Sequence, residues 1–212
     1  EISTGLSMGE SAEKMAKENK IPREAQDAFA LRSHQKASAA WESGIFAEEV
    51  MPFAVPPNYD SVVHKDAFIR PDTSLEKLAG LRPSFDKHYG TVSAGNSSPL
   101  TDGASALLVM SERKALQLGF EPLAAVRAWS MVAIDPHWQL LMGPAIAAPR
   151  ALKRAQLKLD DIDLVDMHEA FAAQVLSNLQ AFRSKSFAQE HLGGDEPIGD
   201  VADEKLNIYG GS

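Results

Sequence analysis

Residues 166–174 read DMHEAFAAQ, which sets His168 beside Glu169 between an alternating apolar–acidic stretch and an alanine-rich run. An imidazole in such a place can donate an N–H to a developing oxyanion, directly or through a water. It can equally satisfy a free backbone amide, while Glu169 at a helix start suits the positive end of the helix dipole. Both uses depend on position. Ile162 to Met167 alternates as a half-buried strand does, and Phe171, Val175, Leu176, Leu179 and Phe182 recur at helical spacings that line one face. His168 is therefore expected where a strand ends and a helix begins. The other histidines, His34, His64, His88, His137 and His191, show no metal-ligand spacing. With no cysteine, these residues contain no disulfide, no thiolate metal site and no thiol nucleophile.

The elements around this junction follow from local signals. A short helix is predicted over residues 10–19. A longer one comes next, with Pro22 in its first turn, Gly44 as its C-cap, and Ala25, Ala28, Phe29, Ala40 and Trp41 sharing a face. The proline-broken EEVMPFAVPPNYD admits only an edge strand, and Thr73 with Glu76 offers a capping box for a short helix. Residues 91–94 and 104–110 are small or apolar without surface-like alternation, which predicts buried extended segments. A helix closed by Gly119, a strand over LAAVRAWSMVAI and a helix over GPAIAAPRALKRAQL complete an α/β alternation.

At 212 residues, 44% hydrophobic and 24% charged, the chain has the composition of a soluble globular protein with a real core. A net charge of −8 with no block of like charges argues against a nucleic-acid surface, though a local basic pocket for a phosphorylated ligand remains open. No apolar run approaches the roughly 18 residues of a membrane helix, and the start does not read as a signal peptide. NIYGGS at the end suits a turn leading onward, so the chain is expected to be cut there.

Three stretches together resemble the thiolases, the acetyl-CoA acyltransferases. GTVSAGNSSPLTDGASALLVMS is similar to the family's GTVTAGNAS…DGAAA segment, and HEAFAAQ to its NEAFAAQ motif with His for Asn. SMGESAEKMAKENKIPREAQDAFALRSHQKA resembles the opening of the loop domain over the coenzyme A site. DPHWQLLMGPAIAAPRALKRAQLKLDDIDLVDMHEAF is closest to the fatty-acid-oxidation branch. The resemblance implies an α/β fold, layered α-β-α-β-α, here incomplete. Residues 1–99 would be the inserted loop (lid) domain, 100–120 the end of the N-terminal core and 121–212 the first part of the C-terminal core.

The implied activity is acyl transfer between 3-ketoacyl-CoA and CoA, with coenzyme A as substrate and no cofactor. In the family one cysteine carries the acyl group and a second moves the proton. A GHP histidine and a water held by the motif asparagine stabilise the enolate oxygen. His168 matches that asparagine. Ser98 matches the serine that hydrogen-bonds the pantetheine arm, and Ala94 the small residue that lets the arm pass. Phe85, Met8 and Phe171 match apolar residues at the thioester end, and Arg70 an arginine near the adenine. Each also has a plainer reading: a tight turn for Ala94 and Ser98, core packing for the apolar three, a solvated surface for Arg70. Glu169 reads as a helix cap or a support, not as the base. The two cysteines and the GHP motif are absent, so the chain is expected to be an interior piece without activity of its own. The resemblance further implies a cytoplasmic homo-oligomer, with a β-oxidation multienzyme complex as a candidate partner. Two competing readings stand: another condensing enzyme, disfavoured by the paired GNSS…DGA and HEAFAAQ motifs, and a non-catalytic acyl-CoA-binding module.

Overall fold

The computed structural model describes residues 2–211. Helix α1, Met8–Glu18, opens on a capping box: the Ser7 hydroxyl accepts from the Glu10 N–H, and the Glu10 carboxylate accepts from the Ser7 N–H. Helix α2, Arg23–Ser43, starts after Pro22, which is the N-cap residue, and Gly44 ends it in the left-handed conformation. The buried face of α2 keeps Phe29 and Ala40 of the face read from the sequence but is shifted from it. It carries Gln26, Asp27, Phe29, Ala30, Ala37 and Ala40, whereas Ala28 is exposed, because two polar groups on this helix have partners inside the molecule.

Between α2 and the next helix, Phe53–Ala54 (β1) pairs antiparallel with Val62–Val63 (β2), the edge hairpin expected of a proline-rich segment. Helix α3, Leu75–Ala79, is capped by Ser74 and not by Thr73, since the Ser74 hydroxyl accepts from Lys77 N–H. Helix α4 spans Glu112–Leu118 and ends at Gly119; α5 spans Gly143–Ala155 with a proline in its first turn. Helix α6, Ala172–Phe182, and the short α7, Lys185–Phe187, which runs into a π-turn over Ala188–Leu192, complete the set.

Helix α6 is the centre of the packing. Val175, Leu179 and Phe182 are buried there, each such side chain contributing about 1.5–3 kcal/mol over exposure. Around them lie Met15 of α1, Phe29 of α2, Met142 and Ala145 at the start of α5, and Leu206. Helices α1, α2 and α5 all pack on α6, so the segment expected as a lid contributes its first two helices to the same core.

The extended segments expected in the second half of the chain do not form a sheet among the described residues. Residues 104–110 and 123–134 have no strand pairing, and Leu107, Val109 and Leu123 are 85%, 74% and 99% exposed. A central strand is held by neighbours on both sides; without them its amides and apolar side chains face solvent, whatever the local sequence prefers. Likewise residues 162–167 form no strand but a single parallel bridge, Val165 to Leu206.

The strongest tie between α1 and the turn at residues 91–92 is a buried carboxylate. Glu13, 3% exposed, accepts from the backbone N–H of Thr91 and of Val92 and from the Thr91 hydroxyl. Glu13→Ala strands two donors in the interior and should cost about 2–4 kcal/mol in a urea denaturation series, with Glu13→Gln costing less; a loss under about 0.5 kcal/mol for Ala would contradict this role. A second tie is exposed: Lys17 Nζ stands 2.5 Å from the Asp86 carboxylate. The Lys17 hydrogen bond, then the N–H groups of Tyr89 and His88, lower the Asp86 carboxyl from 3.8 to about 2. A lowered acid stabilises the fold where it is ionised, above 3.8, and that contribution is lost as pH falls toward about 2. Asp86→Asn should therefore make the acid limb of melting temperature against pH shallower in that window, and an unchanged limb would refute the linkage.

Candidate functional site

The site is built where two turns cross. The first, residues 91–98, is held by its own polar side chains. Asn96 Oδ1 accepts from Ser93 N–H, Asn96 Nδ2 donates to Asp27 Oδ1 and Thr91 O, and the Ser97 hydroxyl donates to Ser93 O. Asp27 is in turn held by Arg23 at 2.7 Å, so α2 grips this turn from below as α1 grips it through Glu13.

The second turn is residues 168–171. Ser98 N–H donates to Ala170 O at 2.9 Å and Ala172 N–H donates to Asn96 O at 3.0 Å, around an antiparallel bridge of Ser97 to Phe171. This exchange explains the start of α6. Its N-cap residue, Phe171, has no side chain able to accept, and the first helical N–H is satisfied by Asn96 O instead. Glu169 is thus not the cap of α6, although its place in the sequence suits one. Its Oε1 accepts from Asn207 Nδ2 at 2.5 Å.

The crossing gathers only part of the expected set: of the site residues read from the sequence, Ser98 lines the cavity found there and the other six do not. Ser98 and Glu169 both line a cavity of ≈ 480 Å³, walled further by Phe29 and His34 of α2, Phe68 and Ala172. His168 is exposed beside Glu169, two residues before Ala170, where the crossing begins; α6 follows as expected, but the strand expected before His168 is reduced to the Val165–Leu206 bridge. Phe171 is buried and meets Phe85 edge-on, ring centres 6.1 Å apart at 81°. Phe85 also lies over Gly9, where a Cβ would come within 2.0 Å of the ring, which sets it next to Met8 at the start of α1. Ala94 is exposed at the tip of the first turn. Phe85, Met8, Phe171 and Ala94 do not line the cavity that holds Ser98; the aromatic pair stands apart from it.

Arg70 is exposed after Ile69 on the cavity rim, and its backbone N–H donates to His34 Nδ1 at 3.3 Å. Burial, and then the Arg70 charge, lower the His34 pKa, which keeps Nδ1 available as an acceptor. His34 is a wall residue that spacing alone could not reveal, because its neighbours come from residues 63–70 across a long loop. Asn96 and Asp27 escape a sequence reading for the same reason. The only local signal is the Gly-Asn-Ser composition, which indicates a turn without saying what the turn will hold.

Among the described residues no group of three or more His, Asp or Glu side chains is placed to hold a metal ion, and no helix is long and apolar enough to cross a membrane.

Comparison with known proteins identifies the scaffold. Residues 1–113 match the family model "Thiolase, N-terminal domain" and residues 120–212 match "Thiolase, C-terminal domain". The 3-ketoacyl-CoA thiolases of Aliivibrio fischeri and Shewanella loihica are each 52% identical over the whole chain. The chain spans about half the length of these curated relatives, 48% of each. Among solved structures, human mitochondrial 3-ketoacyl-CoA thiolase superposes with a TM-score of 0.83 at 35% identity, covering 100% of this chain and 48% of that one. The Bacillus anthracis acetyl-CoA acetyltransferase gives 0.81 at 38% identity, over 97% and 48%. The α/β architecture is therefore part of the thiolase fold, and the chain belongs to the thiolase family.

Proposed function

We propose that these residues are the part of a 3-ketoacyl-CoA thiolase that covers coenzyme A and stabilises the enolate, in an enzyme transferring an acyl group between 3-ketoacyl-CoA and CoA. The observation that carries this reading is the reciprocal hydrogen-bond pair between residues 96–98 and 170–172, beside which Ser98 and Glu169 line one cavity and His168 precedes Glu169 in the chain. The relatives' names supply the substrate class.

In this reading Ser98 holds the pantetheine arm and His168 donates toward the thioester oxygen as negative charge develops there. A donor fixed in advance is worth most when that charge appears, which is why the backbone contacts that hold the segment around His168 matter. Arg70 lies on the adenine side. Ala94 leaves room for the arm, and Phe85, Met8 and Phe171 form the apolar surround of the thioester end. Coenzyme A is substrate here, and the chemistry calls for no cofactor. The acyl-carrying thiolate comes from outside these 212 residues, which contain no cysteine. Turnover therefore needs the remaining portion of the enzyme. The same reading makes the enzyme a cytoplasmic homo-oligomer of fatty-acid breakdown, with a multienzyme complex as its candidate partner.

One assay of thiolysis in the full-length enzyme tests both residues. His168→Ala should lower kcat about 100-fold with a smaller change in KM, and Ser98→Val should raise KM for coenzyme A more than it lowers kcat. His168→Asn should keep more activity than His168→Ala. Wild-type turnover in a folded His168→Ala enzyme would leave the imidazole a structural residue, whereas absence of thiolysis by the wild-type full-length protein would make the acyl-CoA-binding module the better account.

A further inference from the structure

We infer that Asn207 is a positioning residue for His168, acting as a one-residue strand that fixes the backbone on both sides of the imidazole. This rests on the enolate-stabilising reading of His168 and adds to it the group that sets its pose. The backbone pairing that leads to the site is short. Val165 N–H donates to Lys205 O, Asn207 N–H donates to Val165 O, and there the main-chain ladder stops. Asn207 continues it with its side chain. Its Oδ1 accepts from Met167 N–H at 2.8 Å, and its Nδ2 donates to Met167 O at 2.9 Å and to Glu169 Oε1 at 2.5 Å. The residues before and after His168 are thus held by one amide.

Three features show that this contact is built and not incidental. Asn207 is 4% exposed, so its polar atoms were taken from water and each must find a partner. Its φ of +45° is a left-handed conformation that asparagine adopts more readily than most residues. The orientation of the amide is also dictated, because Met167 N–H needs an acceptor while Met167 O and the Glu169 carboxylate both need donors. The segment beyond Asn207 is locked as well. Gly210 has a φ of +85° and no room for a Cβ, which would meet the Ala37 backbone nitrogen at 2.7 Å, and a Cβ on Gly211 would meet the Glu169 carboxyl carbon at 2.1 Å. Lys36 of α2 holds the approach to Asn207 by donating to Asp203 O and Leu206 O. Asn207 is therefore anchored to α2 independently of the loop it grips. Asp in its place would lose both donors and face the Met167 carbonyl and the Glu169 carboxylate with a third negative oxygen.

The test is a double-mutant cycle in the full-length enzyme, reading kcat and KM for thiolysis together with thermal unfolding. Asn207→Asp should lower kcat about tenfold or more while KM for coenzyme A changes less than about threefold, and it should add no further loss when His168 is already Ala. Asn207→Gly, which suits the backbone conformation, should behave in the same way and replaces the Asp variant if that one does not fold. An equal loss with and without the imidazole, a loss confined to KM, or unchanged kcat in a folded variant overturns the positioning role while leaving the His168 reading intact. Failure of both variants to fold, with His168→Ala folding normally, assigns the amide to stability and also overturns it. If His168→Ala itself keeps full kcat, the reading of His168 fails first, and the positioning role falls with it.

Discussion

The arrangement of this molecule depends on the exchange of backbone hydrogen bonds between two turns, Ser98 N–H to Ala170 O and Ala172 N–H to Asn96 O. Neither turn belongs to a sheet, so neither could be held by a long ladder. Each instead satisfies the other's free groups at the point where α6 begins. Removing the exchange would leave the first amide of α6 without an acceptor and detach Ser98 from the residues after His168. A helix start normally takes a side-chain oxygen as its cap. Here a main-chain carbonyl from a distant segment does the same work, which couples the folding of the helix to the formation of the site.

Two buried carboxylates make that exchange possible, and they illustrate how a charge is kept in an interior. Glu13 accepts from the N–H groups of Thr91 and Val92 and from the Thr91 hydroxyl. Asp27 combines an ion pair to Arg23 with the Asn96 amide. A buried ionised group without such partners would cost several kcal/mol, so each acid is committed to one geometry. The consequence is that α1 and α2 do not merely cover the site. They set the path of the turn that carries Ala94 and Ser98, and they do so through side chains that face the α6 core. Separating α1 and α2 from this turn would break these buried contacts.

The helices were legible in the sequence because their signals are local. Gly44 and Gly119 stop helices where expected, the apolar spacing from Phe171 to Phe182 picks out Val175, Leu179 and Phe182 in the core, and the errors at helix ends are of one to three residues, as with Ser74 for Thr73. The strands were not legible in the same sense. LAAVRAWSMVAI has the composition of a central strand, yet a strand is completed by partners distant in sequence, and none pairs with it among the described residues. The start of α6 shortly after His168 could be read from its apolar spacing, whereas the strand expected before it is a single bridge. The support around His168 could not be read. Asn207 sits in a stretch that has the look of a simple turn, and its amide acquires meaning only when residues 167 and 169 arrive beside it. Motif resemblance located Ser98 and His168; it gave no hint that Asn96, Asp27 and Asn207 would be the groups that hold them.

The central claim is that residues 96–98 and 170–172 form one cooperative unit, and amide hydrogen exchange tests it most directly. The N–H groups of Ser98 and Ala172 should be protected together, and Asn96→Ala should speed exchange at both sites by about the same factor, since opening the first turn frees the second. Protection at Ala172 that survives unchanged while Ser98 exchanges freely would show that α6 starts without the first turn, and would contradict the account.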